Sequence, residues 1–223
     1  MRETFSAEER ATLYRVIDGR RDVRAFRRDP LSPGTLHRIL MAAHHAPSVG
    51  LMQPWNFIVI QDPAVKARVK AVFLRERERA RTNYAGDRAV LYDSLKLEGI
   101  EEAPVNLCVT CDRTRSGPHV LGRNTMIDTD LYSTCCAVQN LWLAARVEGV
   151  GAGWVSIIDN EELRAILGLP AHVVPLAYLC LGYAREFLDE PELQRRGWAR
   201  RLPLEALVFE DRWNQHPTTA LFS

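Results

Sequence analysis

The stretch DTDLYSTCCAVQNLWLAARVEGV, positions 128–150, constrains the fold more than any other part of the chain. It is the longest apolar segment with helical character, with acids in its first turn where the helix dipole favours them, and it runs into GAGWVSII at 151–158, which reads as a strand. A helix that apolar has to be covered by other elements. The junction, G-V-G-A-G at 149–153, decides which fold is excluded. A dinucleotide-binding glycine fingerprint follows a strand and opens a helix, whereas this run leaves a helix and enters a strand, so a Rossmann domain is rejected. Lacking Cβ atoms, the run's backbone is instead suited to lie flat against a planar ligand.

The other elements follow from caps and periodicity. Ser6 with Glu9 forms a capping box opening a helix through Leu13, Val16 and Ile17, and Gly19 ends it. Ser32 and Pro33 open a second helix whose Leu36, Ile39, Leu40 and Ala43 make an apolar stripe. APSVGLMQPW (46–55) is a loop punctuated by Pro47, Gly50 and Pro54. NFIVIQ (56–61) is a strand, and Asp62–Pro63 starts a charged helix to about Arg81. Residues 82–102 have weak periodicity and read as a mobile flap. VNLCVTC (105–111) and VPLAYLCLGY (174–183) are strands, and Asp159 or Asn160 caps a short helix ending at Gly168. From 184 the tail carries Pro191 and Pro203 but is too apolar to be free, so it is expected to pack on something, a second subunit included. With no repeats and no convincing boundary, residues 1–223 read as a single domain. One sheet covered by helices places it in the α+β class.

Composition narrows the function. The 223 residues carry 29 Lys and Arg against 28 Asp and Glu, a net charge of +1. That gives no global attraction to nucleic acid or to an anionic membrane, so an anion site has to be local. No run is apolar enough to span a bilayer, and no export signal opens the chain. Five cysteines, an odd number, argue against a disulfide framework and for the reducing cytoplasm. Cys108 and Cys111 point to opposite faces of one strand, and no second pair completes a metal set. These two read as core thiols, as do Cys135 and Cys136 on the apolar helix, and His44 and His45 read as a helix cap. No metal site is expected.

The chemistry gathers at GRRDVRAF, 19–26, where Arg20, Arg21 and Arg24 surround one acid, Asp22. Asp22 serves as a counter-charge, or the arginines hold an anionic ligand and leave the carboxylate for chemistry. Forked guanidinium groups suit phosphate oxygens, and Arg200 and Arg201 in GWARRLP add a second basic pair. The cluster taken by itself leaves both readings open.

RRDVRAF after a first helix, then APSVGLMQPW, SLKLEGI, NLCVTCDRTR, DLYSTCCAVQNLWLAAR, GAGWVSI and GWARRLPLEALVF follow in order from about residue 5 to 213. Together they resemble the BluB family of aerobic 5,6-dimethylbenzimidazole synthases, a branch of the nitroreductase-like flavoprotein superfamily. The superfamily signal is the basic motif with the P-S-x-x-x-x-P-W loop. Asp22 with WVSI narrows it, because ordinary nitroreductases usually carry serine after the paired arginines. The resemblance implies an α/β/α sandwich with a central mixed sheet, in an intertwined homodimer whose extended terminal arms embrace the partner. The segment from about 184 to 223 would pack on that partner. It also implies binding of flavin mononucleotide (FMN), with reduced FMN as the substrate. O2-dependent fragmentation would yield 5,6-dimethylbenzimidazole, the lower ligand of vitamin B12, and erythrose 4-phosphate.

Carried onto this sequence, Arg20, Arg21 and Arg24 would hold the phosphate and ribityl chain, with Val23 beside them and Arg201 as a second phosphate ligand. Ser48, Gly50 and Gln53 would face the ring edge, Gly153, Trp154, Val155 and Ser156 its other side, and Leu97 and Arg88 a lid. Asp22 would act as general base and acid, and Ser156 would orient the flavin. No nicotinamide site is evident, so a separate flavin reductase is expected to supply reduced FMN. The alternatives are an NAD(P)H-dependent nitroreductase or flavin reductase, and a non-catalytic flavin-binding protein. The final segment, NQHPTTALFS, is assigned no role.

Overall fold

The computed structural model describes residues 4–217; residues 218–223 of the expected C-terminal extension lie outside them. The chain divides into two compact units, Met1–Asp189 and Glu190–Ser223.

Among the described residues the first unit contains six α-helices, a 3-10 turn at Val49–Leu51 and four strands. In order, the helices and strands are α1 (Ala7–Gly19), α2 (Pro33–His44), β1 (Trp55–Ile60), α3 (Pro63–Arg81), α4 (Gly86–Ser94), β2 (Val105–Asp112), α5 (Thr129–Val147), β3 (Val150–Val155), α6 (Asn160–Leu167) and β4 (Val173–Tyr183). The strands pair in the order β1-β2-β4-β3. Every ladder is antiparallel, with Cys108 opposite both Ile58 and Tyr178, and Gly153 opposite Cys180. The sequence reading expects a mixed sheet. Here parallel pairing is confined, among the described residues, to a bridge between Asp22 and Ala152. The outer edge of β3 is met there by one extended residue in place of a full parallel strand.

Two apolar layers flank the sheet, which is why β2 and β4 read as near-continuous apolar runs rather than alternating ones. On one face Leu107, Val109, Leu179 and Leu181 pack with Ile39 and Ala43 of α2 and Ala137, Leu141 and Ala145 of α5. On the other, Cys108, Tyr178 and Cys180 pack with Val69 and Phe73 of α3, Leu163 of α6, and Val23 and Phe26. Each fully buried side chain of this size stabilises the fold by about 1.5–3 kcal/mol relative to exposure. The three layers are the expected α/β/α sandwich.

The caps fall where the sequence puts them. Ser6 Oγ accepts from Glu9 N–H at 3.2 Å, and Ser6 N–H donates to Glu9 at 2.7 Å. Asp62 accepts from Ala64 N–H at 2.8 Å ahead of Pro63. Asp159 caps α6, and Gly168 ends it in the left-handed conformation at φ 68°. His44 and His45 close α2. At the start of α5 the fully buried Asp130 is held by Arg113 at 3.1 Å and Arg123 at 3.0 Å, which neutralises it.

Three expectations change. Residues 82–102 contain a helix, α4, docked on α3: Tyr84 stacks on the buried Tyr92 at 4.9 Å, and Arg77 donates to the carbonyls of Asp93 and Leu95 at 3.0 and 3.2 Å. Nine residues are too few for periodicity to reveal it. Cys135 and Cys136, expected as core thiols, are exposed, because α5 is apolar on more faces than the first unit covers. Cys108, Cys111 and Cys180 are buried, and burial pushes the thiols of Cys108 and Cys180 up to about 12. Third, α1 is amphipathic but has no buried residue; Phe5, Leu13, Tyr14 and Ile17 are exposed.

In the second unit Glu192–Arg195 forms one helical turn, α7, and Leu204–Leu207 a 3-10 turn. Gln194 ties the turn to the following segment by accepting from Arg201 N–H at 3.2 Å. Leu202, Leu204, Leu207 and Trp213 are exposed.

Candidate active site

Residues 20–26 are extended and lie across β3 and the adjoining end of β4. Val23 N–H donates to Ala152 O at 2.9 Å, and Arg27 N–H to Tyr183 O at 2.8 Å. This crossing explains the glycines. A Cβ on Gly153 would stand 2.0 Å from Val23 O, and one on Gly151 2.8 Å from Val23 Cγ1. Gly151 and Gly153 therefore lie against their own chain at Val23, a use of bare backbone that the sequence reading does not anticipate.

The crossing sets Asp22 beside the end of β3. Its Oδ1 accepts from Trp154 N–H at 3.0 Å, and its Oδ2 pairs with Arg24 Nη2. The Asp22 side chain is 31% exposed, against 12% for Arg24. Burial raises the Asp22 carboxyl above its ordinary value; Arg24, the Trp154 N–H and Arg20 work in the other direction without reversing it. A carboxyl kept in reach of solvent, with its pKa raised by burial, is equipped to exchange protons with a bound ligand.

The three arginines have different partners. Arg21 spends its fork on main-chain carbonyls: Asp18 at 2.5 Å, Arg20 at 2.7 Å, and Asp189. Arg24 faces Asp22. Arg20 lies over the indole of Trp142, with Cζ 4.8 Å from the ring centroid. Trp142 Nε1 donates to Arg21 O at 3.2 Å, and Arg146 Nε to Gly19 O at 3.0 Å. The cluster is thus fastened to the C-terminal half of α5.

The Ser48–Gln53 loop is fastened to the other half. Ser48 Oγ accepts from Gln53 N–H at 3.0 Å, and Ser133 Oγ accepts from Val49 N–H at 3.0 Å. Gly50 is left-handed at φ 51°, and a Cβ there would meet Leu121 O at 2.8 Å. Leu51 and Gln53 are also left-handed, at φ 54° and 48°, a strained state for side-chain-bearing residues. Arg115 holds the strained turn open, donating to Gln53 O at 2.6 Å, Trp55 O at 2.9 Å and Asn56 Oδ1. Arg115→Met strips these carbonyls of charge-assisted donors; it is expected to cost about 2 kcal/mol, read as a lower urea midpoint at unchanged slope.

Ser133 and Trp142 are nine positions apart on one helix, about 13 Å at 1.5 Å per residue. One chain therefore brings Arg20, Arg21, Asp22, Val23 and Arg24 together with Gly153, Trp154 and Val155, and it anchors Ser48, Gly50 and Gln53 at a distance. Ser156 is exposed just past β3 and lines a cleft of about 250 Å³ with Trp154, Leu163 and Tyr178. That volume is below the roughly 300 Å³ at which small-molecule pockets begin. Leu97 packs in the same apolar layer as Val23, and the adjoining Gly99 abuts Arg24 O, where a Cβ would stand 2.9 Å away. Arg88 is on the exposed side of α4. Arg201 belongs to the second unit. Arg115, Ser133 and Trp142 are missed by the sequence reading; their only signal is membership of the quoted NLCVTCDRTR and DLYSTCCAVQNLWLAAR segments.

An antiparallel sheet between helical layers, its β3 edge crossed by the arginine-rich segment 20–26, is the architecture of a protein of the nitroreductase class. The chain belongs to the nitroreductase family, whose model matches residues 17–183. Within it, the 5,6-dimethylbenzimidazole synthase of Rhodospirillum rubrum is 43% identical over 199 residues, covering 89% of this chain and 94% of that protein. The enzyme of the same name from Rhodobacter capsulatus is 40% identical over 201 residues, covering 90% and 97%. An iodotyrosine deiodinase structure bound to FMN and 3-iodo-L-tyrosine shares the fold, with a TM-score of 0.66 at 24% identity over 79% of this chain and 91% of that one.

Proposed function

We propose that the chain is a 5,6-dimethylbenzimidazole synthase that takes reduced FMN and O2 and forms 5,6-dimethylbenzimidazole and erythrose 4-phosphate, the flavin's pyrimidine ring leaving as the third fragment with the oxygen. The observation that carries this reading is Asp22, a carboxylate where a plain reductase has serine, anchored by Trp154 N–H and Arg24 with its pKa raised. The 43% identity to a synthase of that name supports it.

The donor set fits FMN. Three guanidinium groups lie within five residues, and their forked donors suit the oxygens of a dianionic phosphate. Reduced FMN supplies the electrons that O2 accepts and the ring carbons of the product. Arg20 and Arg24 receive the phosphate and ribityl end, while Arg21 fixes the backbone that carries them. Asp22 exchanges protons with the flavin, Ser156 orients it by hydrogen bonding, and Leu97 with Arg88 covers it, excluding water.

The site is completed by a second copy in a homodimer. Two features support this: the uncovered apolar face of α1 with Phe5, Leu13, Tyr14 and Ile17, and the anchoring of the ring-edge loop about 13 Å from the arginines along α5. The protein works in the cytoplasm, receiving reduced FMN from a separate flavin reductase. The test is to incubate it with FMN and a reductase in air and chromatograph the products. Benzimidazole formation bears the reading out. Nicotinamide oxidation with a nitroaromatic and no loss of FMN, or flavin binding without turnover, overturns it.

A further inference from the structure

We propose that Trp142 is a positioning residue that sets the guanidinium of Arg20 for the phosphate end of the ligand. The inference rests on the proposed phosphate grip and adds a determinant of its specificity. Three observations converge on this side chain. Arg20 Cζ lies 4.8 Å from the centre of the Trp142 ring, within the range of a cation–π contact. The indole N–H donates at 3.2 Å to the carbonyl of Arg21, the residue between Arg20 and Asp22. The Trp142 and Trp154 rings are 6.3 Å apart, and the Trp154 backbone N–H holds Asp22.

Trp142 therefore grips the arginine segment twice, by its edge on the main chain and by its face on one guanidinium. The rest of its ring packs against the core layer shared by α2 and α5, so that face is fixed in direction. An arginine surrenders much rotamer freedom when it closes on an anion. One already stacked on a fixed indole has surrendered it before the ligand arrives, which converts directly into affinity. The neighbours divide the labour: the Arg21 fork is spent on three carbonyls, Arg24 faces Asp22, and Arg20 is the guanidinium stacked on Trp142. The effect is confined to ligands that carry the phosphate.

The experiment compares oxidised FMN with riboflavin, which lacks the phosphate, by fluorescence titration of wild type, Trp142→Phe and Trp142→Leu. The readout is the ratio of the riboflavin to the FMN dissociation constant. Trp142→Leu is expected to lower that ratio about five- to tenfold, through FMN and not riboflavin. Trp142→Phe keeps a weaker ring and loses the N–H, and is expected to lower it about two- to threefold. It stands as the deciding variant if the leucine protein does not fold. Equal weakening of both ligands, as a merely structural role requires, overturns the inference, and so does an unchanged ratio in the variants. A wild-type ratio near one overturns the phosphate grip itself and this inference with it.

Discussion

Asp22→Asn is expected to lower benzimidazole formation by about 10²- to 10⁴-fold, the span of a lost general acid–base group, while FMN still binds. In the native arrangement Oδ1 takes the Trp154 N–H and Oδ2 takes Arg24. Asparagine keeps the shape but has one oxygen, so it satisfies one of these donors and turns an NH2 group on the other. It also cannot take up a proton. Two pH profiles accompany the loss. In the wild type, burial raises the folded-state carboxyl above the ordinary 3.8. The folded protein then holds that proton more tightly than the unfolded chain. The associated stability is fully present below about 3.8 and is lost as pH rises through the raised value. The asparagine protein lacks that slope in chemical denaturation. Activity runs the other way: with the carboxylate as proton acceptor, wild-type turnover falls as pH drops through the same raised value. An asparagine variant that makes benzimidazole at the wild-type rate removes Asp22 from the mechanism.

What the sequence makes legible here is what neighbouring residues decide among themselves. Asp62–Pro63 and Asp159–Gly168 mark helix ends because caps act over two to four positions, and both hold. The apolar strands are legible because both sheet faces are covered. Contacts between distant residues are another matter. The glycines of β3 answer to Val23, about 130 positions earlier, and no local pattern says whether a bare backbone faces a ligand or another strand. Likewise, the charge cluster at 20–24 is visible at once, but its division is set by Trp142 on α5 and Asp189 beyond β4. The exposure of Cys135 and Cys136 was hidden for a related reason. A helix apolar on most faces does not say which face its own chain leaves uncovered.

Gly153→Ala is expected to be the most disruptive single methyl in the site. Gly153 is buried and is not in the left-handed region, so alanine is conformationally acceptable; the cost lies in contact. The new Cβ would stand 2.0 Å from Val23 O, and a carbonyl fixed in the main chain cannot rotate away as a side chain does. Relief requires residues 22–23 to lift off β3. That breaks the 2.9 Å bond from Val23 N–H to Ala152 O and the 3.0 Å bond from Trp154 N–H to Asp22. Overpacking and two lost hydrogen bonds together cost about 3–5 kcal/mol. The urea midpoint falls accordingly, and FMN affinity falls with it because Arg20 and Arg24 move with the strand. Gly151→Ala is the internal control. Its Cβ meets Val23 Cγ1 at 2.8 Å and Val23 Cβ at 2.9 Å, a clash with a branched side chain that rotation relieves only in part, for about 1–3 kcal/mol. Val23→Ala separates the two cases. Removing the Val23 Cγ atoms relieves two of the three contacts facing alanine at 151, leaving Val23 Cβ at 2.9 Å, and leaves untouched the carbonyl that opposes alanine at 153. The Gly151→Ala/Val23→Ala pair should therefore show a favourable coupling energy in a double-mutant cycle, and the Gly153→Ala/Val23→Ala pair none. Equal coupling in both pairs, or a Gly153→Ala protein with wild-type midpoint and FMN affinity, refutes the backbone crossing as what holds Asp22 in place.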